Sequence, residues 1–395
     1  VRRGITGPRL GRHLYEAGDY EAAIPALLDG AQHSFHSARN VVGWELLSLR
    51  ERALQQLSIP DTDLRWARGW LLKERFLARR KEFPAVMGLV DKVLEKTAKT
   101  PGAKLLRATA WLRKGTIHRL MSEPDEARFC LNKAMNGAVD DPAIMSQTME
   151  QMGTLELAYG NPMLSASFYE GAFDAAKALG DEDRVFQVRQ NMAAVYRLQG
   201  NLDKAREHLA ASLRYYQKTG QKRAQSRSLN DLAELDRLKG DLAQAEAGYR
   251  EALNLIEALG DQRFYVAALN LGIIYAETGR PVEARFQLEQ CQHALKVSRL
   301  PGIEGATFLC LAFVHAQLQS LQDWRNAFDA GRKRIEETGF ADIDIARSAQ
   351  MGGKVMLSNG WVDEARESLE YARSQWEALG RESEAAEITD LLDEV

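Results

Sequence analysis

The sequence predicts an all-α solenoid built from antiparallel helix pairs, and three observations predict it. The first is a double series of glycines. Gly160, Gly200, Gly240 and Gly279 are 40, 40 and 39 residues apart, and Gly360 lies 81 further on. Gly180, Gly220, Gly260, Gly339 and Gly380 form a second series, offset from the first by 20. A fixed period of this length is the signature of a stacked repeat. The second observation is composition. Only 10 of the 395 residues are proline, and Ala, Leu, Glu, Arg and Gln dominate the central stretches, which favours helix over strand. The third is length. One compact core rarely serves so long a chain, whereas stacked units bury their apolar faces against neighbours alone.

The chain opens with Leu10, Gly11, Leu14, Gly18, Asp19, Tyr20 and Ala23, which reads as helix, glycine stop and second helix, so a first repeat is expected over 1–36. Residues 37–100 lack the glycine marks. Helical patterns run over 38–57, 63–80 and 83–98, and Ile59 to Asp63 reads as a turn leading into a helix start, so divergent helical hairpins are expected there.

From 101 to 380 the period holds. Trp111, Gly115 and Asp125 to Ala127 mark one unit; Gly153, Gly160 and Tyr169 mark the next, with Ser165 at a position that is otherwise Ala. Three clear units follow. In each, a small residue stands seven before the glycine (Ala193, Ala233, Gly272), another five after it (Ala205, Ala245, Ala284), and a larger one four beyond that (Leu209, Tyr249, Leu288). Small residues let two helices cross closely, and the larger one fills the groove beside them. The glycine ends the first helix, and Asn or Asp after it supports the turn. Between Gln319 and Arg334 the pattern slips, with Trp324 and Phe328 predicting altered packing. Gly353, Gly360 and Ala365 give the last full unit, and 381–395, with Ile388, Leu391 and Leu392, is expected to close the stack as a capping helix.

These residues, at this spacing, resemble the tetratricopeptide repeat. That family's period is about 34, so units near 40 imply longer helices, like those of the extended repeats of peptide-binding regulators. The resemblance implies a right-handed superhelix with a concave groove lined by the first helix of each pair. Its groove positions lie about thirteen, ten, six and three residues before the glycine. They fall on Gln147, Glu150 and Thr154; on Gln187, Gln190 and Arg197; on Arg227, Asn230, Glu234 and Arg237; and on Arg347, Gln350 and Lys354. Amides such as Gln190 and Asn230 carry a donor and an acceptor suited to a peptide backbone, and the arginines suit carboxylates or phosphates. The unit around Gly279 instead places Val266, Leu269, Ile273 and Ala276 there, an apolar strip. Gly11 to Ala31, and the helix ending Arg50 to Leu57, are similar to the segments that follow the ATPase module in bacterial signalling proteins of the ATPase–repeat or kinase–repeat kind. That implies an N-terminal ATPase or kinase domain of the same polypeptide, and a regulatory region that binds a protein or peptide ligand. The alternative is a free-standing intracellular peptide receptor acting on a transcription factor or phosphatase.

Chemistry is not signalled. No phosphate-cradling glycine loop, G-x-S-x-G elbow or kinase signature occurs. Cys130, Cys291 and Cys310 match neither a zinc site nor a disulfide framework and suit a reducing cytosol. His33 and His36 share a helix face without a third ligand nearby, and Asp140, Asp141, Asp181 and Asp183 read as helix-cap residues. No cofactor and no catalysis are expected, and no run of about 18 apolar residues suggests a membrane span. Residues 1–120 carry 22 Lys and Arg against 12 Asp and Glu, and the remainder 30 against 43. Lys73 to Lys81 is basic around Phe76; it reads as a solvated helix with snorkelling side chains rather than a nucleic-acid contact, in keeping with a pI near 6.3. Trp66, Trp70, Trp111 and Trp361 read as packing residues.

Overall fold

The computed structural model describes residues 8–37, 39–261, 264–298 and 300–393. Among them are twenty helices and no strand. The ends of the expected first repeat and capping helix, residues 1–7 and 394–395, lie outside the described residues.

The chain divides into two compact units, one ending at Gly200 and one beginning at Asn201. In the first, α1 (Pro8–Glu16) and α2 (Tyr20–His36) form a pair, and α3 (Asn40–Gln56) packs on α2. Then come α4 (Leu64–Arg79) with α5 (Phe83–Lys96), α6 (Lys104–Leu120) with α7 (Pro124–Gly137), α8 (Pro142–Ala158) with α9 (Pro162–Leu179), and α10 (Glu182–Leu198). The divergent segment 37–100 thus holds three helices, and α4 and α5 make its one hairpin.

The second unit opens with α11 (Leu202–Thr219). It continues in the pairs α12 (Lys222–Leu238) and α13 (Leu242–Glu257), α14 (Tyr265–Glu277) and α15 (Pro281–Ser298), α16 (Pro301–Gln317) and α17 (Leu321–Thr338), and α18 (Ile343–Ser358) and α19 (Val362–Ala378). It closes with α20 (Glu382–Asp393), whose Ile388 and Leu392 are buried.

The periodic glycines do what their spacing predicts. All ten adopt positive φ, between 60° and 82°, at helix ends, where a residue without Cβ turns the chain without strain. Asp141, Asp181 and Asp241 cap the next helix, each accepting a backbone N–H three residues on. The glycine-poor turns use the same conformation with ordinary side chains: Ser58, Lys81, Ser122 and Gln319 have φ of 53° to 61°. The turn geometry is therefore conserved along the chain where its sequence signature is missing.

The small residues work as spacers. A Cβ on Gly153 would stand 2.9 Å from the Tyr169 ring, one on Gly272 2.8 Å from Leu288, and one on Gly353 2.6 Å from Leu369. Each contact joins the first helix of a pair to the groove-filling residue sixteen positions on. Between α16 and α17 the expected slip is a substitution, not a break. Trp324, only 1% exposed, occupies the position that is Ala245 and Ala284 in neighbouring pairs, and stacks on Phe328 at 4.9 Å. Trp66 and Trp70 are buried together, 5.7 Å apart.

Candidate functional site

First helices of successive pairs pack on one another: α6 on α8, α8 on α10, α14 on α16 and α16 on α18. They form an inner layer in each unit, and the candidate groove residues lie on it. With a period of 40, residues forty apart fall side by side, and their side chains meet.

In the first unit Glu150 is the hub. It is 4% exposed and accepts hydrogen bonds from Gln187 at 2.7 Å and Asn191 at 2.9 Å, with the Arg184 guanidinium at 3.2 Å. Thr154 bonds the Glu150 carbonyl and the Tyr169 hydroxyl. Gln190 is buried, Arg197 half-buried, and Gln147 bonds the Ala143 carbonyl from a half-buried position. Glu150 therefore ties α8 to α10, and Gln187 keeps an exposed flank.

In the second unit Arg237 is the hub. Its guanidinium holds both Glu234 oxygens at 3.1 Å, lies 2.8 Å from Asp344 and 3.4 Å from Glu277, and its side chain is 6% exposed. Burial opposes its charge, but Asp344 and Glu234 outweigh burial and hold it protonated. Tyr249 donates to Glu234 at 2.5 Å, and burial followed by that carboxylate pushes its hydroxyl up. Arg347 reaches Glu277 at 3.5 Å. Burial raises the carboxyls of Glu277 and of Asp342. The network braces α12 against α14 and α18. Gln350 accepts from Trp376 at 3.2 Å, and Lys354 is exposed.

Beside this network is open space. A cavity of about 290 Å³ lies between α12 and α14, lined by Arg223, Ser226, Arg227, Asn230, Asp231, Ile256, Val266 and Ala267. Three of the expected groove residues meet here: Arg227, Asn230 and the apolar Val266. Asn230 accepts from Asn270, forty residues on, at 3.0 Å. Arg223 pairs with Asp261 at 2.6 Å, and Arg227 lies 3.8 Å from Asp231 one turn along α12. Leu269 is half-buried, and Ile273 and Ala276 are buried in the core of the unit rather than lining this cavity.

Residues 144–218 and 224–296 match the family model of the tetratricopeptide repeat. These two stretches are tetratricopeptide repeats. No curated protein matches it in sequence. Among solved structures, it is similar to a Rap protein complexed with Competence and Sporulation Factor, with 14% identity and a TM-score of 0.61 over 94% of this chain and 96% of that one. It is similar also to NprR in complex with its cognate peptide NprX, at 14% identity and a TM-score of 0.55, over 87% and 95% of the two chains. A third is a signal transduction ATPase with a tetratricopeptide-repeat sensor from Pyrococcus horikoshii, at 14% identity and a TM-score of 0.54 over 84% of this chain and 52% of that one. At these identities the likeness is one of fold.

The repeat signature locates the inner helices but not the partners across them. Arg184, Asn191, Glu277 and Asp344 carry no mark of their role within their own repeats, since the groups they meet belong to other repeats. Complementarity at about the repeat distance would find two of them, Asn191 with Glu150 and Glu277 with Arg237. Among the described residues no group of three or more His, Cys, Asp and Glu is placed to hold a metal ion. The three cysteines are free and buried, and burial lifts the thiols of Cys130 and Cys291 to about 11. No described helix is long and apolar enough to cross a membrane.

Proposed function

We propose that the chain binds a protein or peptide ligand along the inner face of its repeats and serves as the regulatory, sensing region of a bacterial signalling system, rather than as an enzyme. The cavity between α12 and α14 carries the proposal. It joins an amide (Asn230) and an arginine (Arg227) to an apolar wall (Ile256, Val266, Ala267), which suits a peptide backbone flanked by a carboxylate and an aliphatic side chain. Gln187 on α10 of the first unit and Lys354 on α18 of the second are further candidates, each exposed on an inner helix of its own unit. In the second unit Arg237 holds the helices that carry the cavity in place, with Glu234, Arg347 and Gln350 as the other candidates there; in the first unit Glu150 ties α8 to α10, with Gln147, Thr154, Gln190 and Arg197 as candidates. A peptide complexed with NprR and a repeat sensor joined to an ATPase, both in proteins of this fold, support the reading, and the second supports a partner ATPase or kinase domain.

Selection of displayed random peptides on the purified chain, followed by calorimetry of the winners, tests it. The expected result is a shared peptide pattern whose affinity falls at least about tenfold in the double variant Arg227→Ala, Asn230→Ala, the loss of one or two charge-assisted or amide hydrogen bonds. Winners that bind parent and variant equally would remove the cavity from the proposal.

A further inference from the structure

The basic stretch of α4 is not absorbed by that reading. It opens onto a groove of about 450 Å³ in the first unit, distinct from the cavity between α12 and α14 and lined by side chains of α2, α4, α5 and α6 and by Gln147 of α8. Three arginines converge on it, Arg75 and Arg79 from α4 and Arg113 from α6, against a single carboxylate, Glu74. Glu74 is 2% exposed and lies 3.1 Å from Arg113. Arg79 is fixed in place, donating to the Phe35 carbonyl at 2.8 Å. Arg75 differs. Its guanidinium lies over the Phe35 ring at 4.2 Å but forms no hydrogen bond or ion pair with any described residue. Burial, then Arg113, works against its charge. The groove thus holds an excess of two positive charges in a half-enclosed place, and one arginine fork has its donors unspent. Its rim is apolar, with Phe83 beside the arginines and Leu120 51% exposed.

We propose that this groove is a second docking site, for an acidic segment of a partner protein. One carboxylate of the segment is received by Arg75, with Arg79 and Arg113 beside it, and a neighbouring aliphatic side chain rests on Phe83 and Leu120. Charge complementarity selects the occupant. An uncompensated pair of cations in a partly desolvated groove is stabilised by anions, and the planar Arg75 fork matches a carboxylate bidentately. The apolar rim favours a mixed acidic and aliphatic segment over a bare anion. Glu74 at the floor opposes the incoming charge and sets the affinity below what three arginines alone would give.

The test uses fluorescein-labelled nonapeptides in which glutamate alternates with leucine, the same peptides with glutamine for glutamate, and a labelled single-stranded DNA nonamer. Binding to the full chain is read by fluorescence anisotropy at about 0.15 M salt, where long-range attraction is largely screened. The acidic peptide is expected to bind and the glutamine peptide to bind at least about tenfold more weakly. Arg75→Gln is expected to cost about tenfold, with thermal unfolding of the variant checking that loss of the Phe35 ring contact leaves the fold intact, and Glu74→Gln to tighten binding severalfold. Equal binding of the two peptides, equal binding by the parent and Arg75→Gln, weaker binding by Glu74→Gln, or binding of the DNA in preference to the acidic peptide would each overturn the proposal, as would no binding of the acidic peptide at millimolar concentration.

Discussion

Replacing Arg237 by methionine isolates the structural part of the inner face. The side chain is 6% exposed and meets three carboxylates, those of Glu234, Asp344 and Glu277. Methionine fills a similar volume without the charge. Glu234 would keep the Tyr249 hydroxyl, and Glu277 would keep Arg347 at 3.5 Å. Asp344, its side chain 20% exposed, has no second ion pair among the described residues, so one carboxylate at least would be left without a cation in a half-buried setting. Removing one partner of a buried ion pair typically costs about 3–5 kcal/mol. Urea unfolding at pH 7, with amide exchange read on α12, α14 and α18, should show a loss in that range. The sign with pH follows. Burial already raises the Glu277 carboxyl and Arg237 opposes that, so without Arg237 it rises further; the folded chain then binds more protons than the unfolded one between the two values, and stability falls as pH rises through that window. The variant should therefore recover part of its loss between about pH 7 and 5, and Asp344→Asn added to it should restore part of the loss at pH 7. A loss below about 1 kcal/mol, the range of an exposed pair, would refute the argument that these contacts brace the repeats.

Three further outcomes follow from the same geometry. Lys81 sits at φ 58° where the periodic turns use glycine, so Lys81→Gly should stabilise the chain by up to about 1 kcal/mol, the left-handed penalty less the entropy of glycine; a loss of stability by thermal unfolding would contradict it. A Cβ on Gly353 would lie 2.6 Å from Leu369, so Gly353→Ala should lose about 1 kcal/mol net, overpacking of about 1–3 kcal/mol outweighing a helix-propensity gain near 1; a gain in urea midpoint would show that α18 and α19 have room to part. Burial pushes the Glu74 carboxyl up to about 7, so stability should fall by roughly 3 kcal/mol as pH rises from 4.5 to 7 on its account, and the difference between the parent and Glu74→Gln should carry that slope; parallel pH profiles would contradict it.

The repeats were legible because steric spacing writes itself into sequence. Gly153, Gly272 and Gly353 are small since a Cβ there meets the side chain sixteen residues on, and the periodic glycines mark turns that only glycine enters freely. Residues 37–100 were harder to read because Ser58 and Lys81 make the same turns without glycine, and a penalty of about 1–2 kcal/mol is small enough for packing to absorb. At the inner face the repeat gave positions but not roles. Arg227 and Arg237 are ten residues apart on one helix with the same chemistry; one lines an open cavity, and the other is buried among three carboxylates supplied by α12, α14 and α18. That difference depends on Glu277 and Asp344, and Asp344 lies 107 residues from Arg237, where no local pattern points to it.

Hydrogen–deuterium exchange of the full chain, with and without a selected peptide, tests the central claim most directly. Slowed exchange is expected over residues 223–231 of α12 and 265–270 of α14, the two walls of the cavity, with the effect lost in the Arg227→Ala, Asn230→Ala variant. Protection confined to other helices, or unchanged exchange at saturating peptide, would contradict it.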